Sequence, residues 1–153
     1  MNFLWDLDGV LRDIHGAIDF EPFTWNQYPR HGLTLIECVN LNLDVLVEAK
    51  PTEFYPLARG KNITILTCQP INWIPYTKIW IDRYLPQSVI KYCQHPLEKL
   101  DYLTNGLLLI EDYPLFPDNS KIIMVDKPYN YEAKGCFARV KTPQELQELK
   151  EGL

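Results

Sequence analysis

The sequence predicts an α/β fold in which a doubly wound parallel sheet is covered by helices. Three observations lead to this prediction. Short apolar segments recur along the chain, segments with helical spacing lie between them, and acidic or hydroxyl side chains follow several of the apolar segments. Strands buried in a parallel sheet are almost uninterruptedly apolar because both faces of the sheet are covered. Their alternation with helices is typical of α/β proteins.

Five segments have the composition of buried strands. Each is short, rich in leucine or β-branched residues, and bounded by turn or polar residues. They are NFLWDLD (2–8), NITILT (62–67), SVIKYC (88–93), GLLLIED (106–112) and KIIMVD (121–126).

Helical patterns lie between or after these strands. PTEFYPLARG (51–60) ends in a glycine that suits a C-cap. TPQELQELKEGL (142–153) begins with Thr142 as N-cap, a proline at the first position and Glu145 three residues after the cap, which is the pattern of a capping box. The other two segments are WIPYTKIWIDRYL (73–85) and HPLEKLDYL (95–103).

The interval from residue 13 to about 50 breaks the alternation, and we interpret it as an insertion after the first strand. HGAIDFEPFTWNQYPRHG (15–32) is aromatic and contains prolines, whereas LTLIECVNLNLDVLVEA (33–49) fits either one long helix or a pair of helices. Neither a repeat nor a flexible linker marks a second domain. We therefore predict a single domain over residues 1–153, with a small cap at about 14–50.

Charge and cysteine content exclude several classes of protein. The 153 residues carry a net charge of −5, which argues against binding long nucleic acid through phosphate contacts alone. The four cysteines lack the paired spacing of a zinc site, and we expect free thiols in a reducing compartment. Neither a signal peptide nor a membrane-spanning segment is visible, so a cytoplasmic protein without a membrane partner is expected.

Acidic and hydroxyl side chains stand where three of the predicted strands end. Asp6 and Asp8 end the first strand, Thr67 ends the second, and Glu111 and Asp112 end the fourth. Buried carboxylates this close repel each other and need a compensating positive charge. In doubly wound sheets, ligands bind beyond the carboxyl ends of the strands. These oxygen ligands suit Mg²⁺, which pairs well with a substrate phosphate.

Four segments occur in the order DLDGV (6–10), ILTCQ (65–69), PLEKL (96–100) and LLLIEDYPLFPDN (107–119). In this order they resemble the four motifs of the haloacid dehalogenase superfamily of phosphatases, and the resemblance covers nearly the whole chain. It implies a Rossmann-like core with a small helical cap. The third motif of that superfamily is a lysine, for which Lys91 competes with Lys99, and Lys99 is favoured because a helix and a strand follow it.

The resemblance implies a catalytic role for each motif residue. Asp6 would attack phosphorus and form an aspartyl-phosphate. Asp8 would protonate the leaving group and then activate water, while Thr67 and Lys99 would neutralise the phosphoryl oxygens. The implied cofactor is Mg²⁺, held by Asp6, the backbone carbonyl of Asp8, and Asp112.

The fourth motif departs from the superfamily pattern. It contains Glu-Asp where Gly-Asp or Asp-Asp is usual, so Glu111 is expected to reach a metal-bound water rather than the metal. Asp118 and Asn119 are both candidates for the later acidic position, and the choice between them stays open.

A narrower resemblance is to the 5'(3')-deoxyribonucleotidases. That family has a strand-end T(S/x)xP, a K-x-W helix and an LIDD motif, and this chain has TCQP (67–70), Lys78 and Trp80, and LIED (109–112). The implied substrate is a small phosphorylated molecule, namely a nucleoside monophosphate.

Aromatic side chains of the insertion are candidates for binding a nucleotide base, because stacking tolerates any base. Their alternative role, as the core of a small cap, stays open. The candidate substrate-binding residues are Phe20, Phe23, Trp25 and Tyr28, with Cys68 and Gln69 beside the second motif.

Two other functions fit the sequence. One is a phosphatase for a polynucleotide end, a sugar phosphate or a phosphoprotein, since a small cap leaves the site open, and Arg12, Arg30 and Lys50 are candidates for a local basic groove. The other is a non-catalytic binding protein that keeps the fold. The presence of both Asp6 and Asp8 argues against this last function.

Overall fold

The computed structural model describes residues 2–27 and 32–153, and within them six parallel strands form one sheet with the order β3-β2-β1-β4-β5-β6. This is a doubly wound order and is compatible with a Rossmann-like core. The predicted α/β class with a parallel sheet is therefore confirmed. The strands are β1 (Asn2–Trp5), β2 (Thr64–Cys68), β3 (Val89–Cys93), β4 (Leu107–Glu111), β5 (Ile122–Val125) and β6 (Ala138–Val140).

The first five strands lie inside the predicted apolar segments, except that β2 ends one residue later, at Cys68, but the sequence analysis missed β6. This strand is only three residues long and contains Arg139. It forms on the edge beside β5, where Ile123 pairs with Ala138 and Val125 with Val140. Its stability comes from that pairing, and no local apolar pattern in the sequence predicts the strand.

The described helices are shorter than the predicted segments. Gly60 follows α4 with φ +69°, as suits a helix C-terminus. At the start of α7, Thr142 accepts the Glu145 N–H at 3.2 Å, but the Glu145 carboxylate accepts from Lys141, so the predicted capping box is half formed. The helices are α1 (Ile14–Ala17), α2 (Leu35–Asn40), α3 (Val45–Glu48), α4 (Tyr55–Ala58), α5 (Ile74–Tyr84), α6 (Glu98–Asp101) and α7 (Pro143–Gly152).

The second half of the insertion forms a helix pair, α2 and α3, rather than one long helix. A capping box begins α2, since Thr34 accepts the Glu37 N–H at 3.1 Å and Glu37 accepts the Thr34 N–H at 2.9 Å. The insertion packs against the segment that follows β2, which places it over the carboxyl end of the sheet. The shared apolar cluster contains Ile14, Ile18, Val39, Leu46 and Trp73.

Alternate strand residues fill apolar clusters on the two faces of the sheet. Trp5 and Ile110 belong to the cluster covered by α5 and α7, whereas Leu4 and Leu109 belong to the opposite one. With both faces buried, the carboxyl edge is where polar side chains can meet a ligand. No helix among the described residues is long and apolar enough to cross a membrane. All four cysteines are free.

Candidate active site

The chain changes direction in the sheet between β1 and β4, and the predicted acidic residues lie at this point. From β1 the chain runs outward through β2 to β3, and it then returns to form β4 on the other side of β1. Trp5 pairs with Ile110, and the Asp6 N–H donates to the Ile110 carbonyl at 2.9 Å. The residues that follow β1 and end β4 therefore meet at the topological switch point, where ligands bind in such sheets.

A tight turn after β1 brings Asp8 back towards the sheet. The Leu7 carbonyl accepts the N–H groups of Leu11 and Arg12, each at 2.8 Å. Gly9 has φ +86°, and a Cβ on it would lie 2.0 Å from Asp112 Oδ2. Only glycine suits this position, because both the backbone conformation and the close approach of Asp112 exclude a side chain.

Lys99 lies at the centre of the acidic cluster. Its Nζ is 2.6 Å from Asp6 Oδ1 and 2.6 Å from Glu111 Oε2, and all three side chains are buried. Lys91, the competing candidate, is exposed on β3, with its Nζ 5.0 Å from the ring centroid of Tyr102. Of the two lysines, the structure brings Lys99 to the acidic residues.

Glu111 is held by donors on both of its oxygens. Oε2 contacts Lys99, while Oε1 accepts the N–H groups of Asp112 and Tyr113 at 3.0 and 3.1 Å. The carboxylate therefore orients the lysine and closes the turn after β4. With these contacts Glu111 has less freedom to bind an ion than Asp6 or Asp112.

The loop after β5 supports Asp112, and the sequence analysis did not identify it. The Tyr129 hydroxyl donates to Asp112 Oδ2. Asn130 Nδ2 donates to the backbone carbonyls of Asp112 and Val125 at 2.9 and 2.8 Å, and Arg139 Nη1 donates to Asn130 Oδ1 at 3.0 Å. These contacts join distant segments, so no local spacing in the sequence predicts them.

The buried cluster holds more negative than positive charge. Burial and the charge of Glu111 raise the pKa of Asp6 despite its contact with Lys99, and the same two causes raise the pKa of Asp112 to about 7. Burial alone would raise the pKa of Glu111 and lower that of Lys99, but their ion pairing reverses both shifts. One ammonium group therefore does not compensate three carboxylates.

This donor set fits a divalent cation. Oxygens of Asp6, Glu111 and Asp112 all lie within 4.8 Å of one another, and each of these residues is buried. Hard carboxylate oxygens with uncompensated charge are the ligands that Mg²⁺ prefers. The fit rests on the donor chemistry and on the raised pKa values of two of the carboxyl groups.

The comparisons with known proteins assign no family to this geometry. No family model matches the chain, and no curated protein matches it.

A cavity of about 370 Å³ opens beside the charged cluster. Its polar lining includes Asp6, Asp8 and Lys99, and Trp25 and Cys68 also line it. Trp25 makes an edge-on contact with Tyr113, with ring centroids 5.0 Å apart. Burial raises the pKa of the Cys68 thiol to about 11, so this thiol is protonated at neutral pH and is a weak nucleophile.

The other candidate substrate-binding residues lie elsewhere. Among the described residues, the walls of this cavity do not include Phe20, Phe23 or Gln69. Phe23 is 71% exposed, and Gln69 is buried between Thr67 and Thr77. Tyr28 and Arg30, from the predicted aromatic and basic sets, lie outside the described residues.

The remaining motif candidates have ordinary structural partners. Asp118 is exposed and accepts the Ser120 N–H at 2.8 Å, and Asn119 Nδ2 donates to the Lys134 carbonyl at 2.9 Å. Neither residue lines the cavity within the part of the chain that the structure describes. Lys78 is exposed, whereas Trp80 is buried in the core.

Arg12 does not contribute to a basic surface groove, because its side chain is fully buried. Its Nε and Nη2 donate to the two oxygens of Asp8 at 2.6 and 2.9 Å. The Asp8 side chain keeps 18% exposure on the cavity side. The sequence analysis placed Arg12 in the wrong environment, since an arginine four residues after an acid can turn back onto it in a tight loop.

The raised carboxyl pKa values predict how stability changes with pH when a chelator removes divalent metal. The folded protein keeps a proton on Asp112 up to a pKa of about 7, whereas the ordinary value is 3.8. The stability that this proton contributes is complete below pH 4 and is lost as the pH rises through 7. Asp6 acts in the same direction. We expect the free energy of unfolding to fall by a few kcal/mol between about pH 5 and pH 8.

Denaturant unfolding of the chelated protein at these two pH values measures the change. Asp112→Asn should remove much of it, because the amide does not titrate. A wild type that is more stable at the higher pH would contradict the assignment of raised pKa values to this cluster.

Proposed function

We propose that the protein is a magnesium-dependent phosphomonoesterase of the haloacid dehalogenase type, with a small cap at about 14–50, and that it acts on nucleoside monophosphates. One observation carries the proposal: Lys99 contacts both Asp6 and Glu111 at the switch point of the sheet, with Asp112 beside them and a cavity in front. A buried ammonium beside a carboxylate at an open cavity is an arrangement that can stabilise charge on a transferring phosphoryl group.

The first chemical step uses Asp6 as the nucleophile. A carboxylate oxygen of Asp6 attacks phosphorus, the ester P–O bond breaks, and the leaving alkoxide takes a proton from Asp8. Lys99, already 2.6 Å from Asp6, is placed to neutralise a phosphoryl oxygen as charge develops. Thr67 lines the same cavity, where its hydroxyl would donate a hydrogen bond to that group.

The second step releases phosphate. Asp8, now a carboxylate, takes a proton from a water molecule, whose oxygen attacks phosphorus, and the bond to Asp6 breaks to restore its carboxylate. Mg²⁺ held by Asp6, the Asp8 carbonyl and Asp112 would supply positive charge beside the phosphoryl oxygens. Both Asp8 oxygens accept from Arg12, so the proton that Asp8 donates must lie on a lone pair that Arg12 does not use.

The walls of the cavity support a substrate with a flat, apolar part. Trp25, Tyr113 and Trp73 line it together with the charged residues. Aromatic faces bind nucleotide bases by stacking and tolerate any base. A phosphate at the charged end and a base against these side chains would use both parts of the cavity.

A phosphate-release screen tests the proposal. Purified protein with Mg²⁺ is given nucleoside monophosphates, sugar phosphates and phosphopeptides, and Asp6→Asn serves as the inactive control. We expect release from nucleotides that a chelator abolishes. Release only from sugar phosphates or phosphopeptides would support the phosphatase reaction but contradict the nucleotide substrate. No release from any substrate would contradict the proposed function.

Replacing the general acid should give a defect that depends on the leaving group. Asp8→Asn is expected to slow nucleotide hydrolysis by about 10²–10⁴-fold, the usual contribution of general acid catalysis. Aryl phosphates with acidic leaving groups should be affected much less, because their oxygen leaves without a proton. Steady-state rates on the two substrate types measure this, and equal losses on both would contradict the role of Asp8 as the acid.

A further inference from the structure

A chain of buried hydrogen bonds joins Asp8 to Thr67 through side chains from three segments. Arg12 donates to both oxygens of Asp8, and its Nη1 donates to Thr77 Oγ1 at 3.2 Å. The Thr77 hydroxyl, on α5, donates to Gln69 Oε1 at 2.7 Å. Gln69 Nε2 then donates to Thr67 Oγ1 at 3.0 Å. Arg12, Thr77, Gln69 and Thr67 are all buried.

The arginine at one end determines which group donates and which accepts in each hydrogen bond of this series. A guanidinium group only donates, so the oxygen of Thr77 that faces Arg12 acts as an acceptor. The Thr77 hydrogen is then directed at the carbonyl end of Gln69, and the amide end of Gln69 is left facing Thr67. Thr67 accepts from Gln69, and its own hydroxyl hydrogen is available to a group in the cavity that it lines.

We infer that Arg12, Thr77 and Gln69 are positioning residues that orient the Thr67 hydroxyl as a hydrogen-bond donor toward a bound phosphoryl group. Phosphoryl oxygens accept hydrogen bonds and do not donate them. If the hydrogen bonds had the opposite direction, Thr67 would donate its hydrogen to Gln69 and would present a lone pair to the anion. The effect on catalysis rests on the proposed function, whereas the direction of the chain does not.

The surroundings of the chain favour a fixed arrangement. Arg12 Nη1 also donates to the Leu46 carbonyl of α3 at 2.9 Å, so the arginine joins the insertion to the loop that carries Asp8. Hydrogen bonds out of reach of water polarise one another and leave no solvent partner to replace a lost one. Gln69, predicted to bind substrate, thus acts here through Thr67.

Substitutions at Thr77 test the inference by turnover. Thr77→Val keeps the shape but removes the hydroxyl, so the Gln69 amide is free to rotate and capture the Thr67 hydrogen. We expect kcat to fall about tenfold or more, towards the roughly 10²–10³-fold loss expected for Thr67→Val, which removes the donor itself. Thr77→Ser should restore the wild-type kcat. Thr64→Val, at the opposite end of β2, is the matched control and should leave kcat unchanged.

The double variant separates positioning from general damage. In a Thr67→Val background, Thr77→Val should change kcat no further, because the hydroxyl that it orients is gone. If Thr77→Val fails to fold, Gln69→Glu replaces it, since a carboxylate accepts from both threonines. Its effect is likewise compared with and without Thr67→Val. Equal kcat for wild type, Thr77→Val and Thr77→Ser, or an undiminished effect in the Thr67→Val background, would overturn the inference.

A nuclear magnetic resonance measurement decides the direction of the chain without any substrate. In uniformly ¹⁵N-labelled protein, the side-chain amide protons of Gln69 should show nuclear Overhauser effects to Thr67 rather than to Thr77. The reverse pattern would overturn the inference. If the wild type releases no phosphate from any substrate, the proposed function fails, and this measurement alone decides whether Thr67 is the oriented donor.

Discussion

Asp6→Asn is expected to abolish turnover while the protein stays folded. The amide is nearly isosteric with the carboxylate but cannot attack phosphorus, and loss of a covalent nucleophile costs on the order of 10⁶-fold. Lys99 keeps its contact with Glu111 at 2.6 Å, so the ammonium is not left without a partner. Phosphate release and thermal melting measure the two effects. Activity within tenfold of the wild type would reject Asp6 as the nucleophile.

A matched control distinguishes this effect from loss of charge in general. Asp82 is exposed near the C-terminal end of α5, the end of this helix that leads on to β3. Asp82→Asn should keep full activity. Acid quenching during turnover should trap phosphate on the wild type through a bond that alkali cleaves, as expected for an acyl phosphate. No phosphate should be trapped on Asp6→Asn, and trapped phosphate on that variant would show that another residue is the nucleophile.

The parts of this molecule that the sequence predicted are those with a local signal. Strands β1, β2, β4 and β5 are mostly apolar because both faces of the sheet are buried along them, and this pattern can be recognised in the sequence without knowing which strands are neighbours. The edge strand β3 is partly exposed and was recognised from its β-branched residues. The placement of the acidic residues just after β1 and at the end of β4 was predicted from the rule that ligands bind beyond the carboxyl ends of the strands in doubly wound sheets. The role of Lys99 was predicted from a family resemblance. A single lysine on a short helix has no local pattern that would indicate this role.

The parts that the sequence did not predict depend on long-range partners. Thr77 lies in α5 and contacts Gln69, which follows β2, so the pair spans a change of secondary structure to which no single periodicity applies. Tyr129 reaches Asp112 from a different strand end. Gln69 was expected in the cavity because it follows a strand-end threonine, but the buried hydroxyl of Thr77 offers its carbonyl a partner that water cannot reach.

Magnesium should stabilise the fold through Asp112. An ion that binds only the folded state contributes about 2.7 kcal/mol at a hundredfold excess over its Kd, and for a domain of this size that raises Tm by roughly 5–10 °C. Asp112→Asn should remove most of this magnesium-dependent shift. In chelator at about pH 8, the same variant should melt above the wild type, because it removes a carboxylate whose pKa is raised to about 7 by burial and by Glu111.

Glu111→Gln is the matched comparison, since it also removes one buried negative charge next to Asp112. The outcome should differ because Glu111 contacts Lys99 at 2.6 Å and accepts two backbone N–H groups through its other oxygen. In Glu111→Gln, Lys99 still contacts Asp6, but the amide has only one oxygen where Glu111 uses two, so its NH2 group must face either the Lys99 ammonium or the two backbone N–H groups. A buried donor that faces another donor has no acceptor, which is destabilising. Glu111→Gln should therefore melt below the wild type with and without magnesium while keeping the shift between the two conditions. If Glu111→Gln erased the magnesium shift and Asp112→Asn preserved it, Glu111 would be the ligand and Asp112 the supporting residue, because the ion must lie on the carboxylate whose loss abolishes its effect.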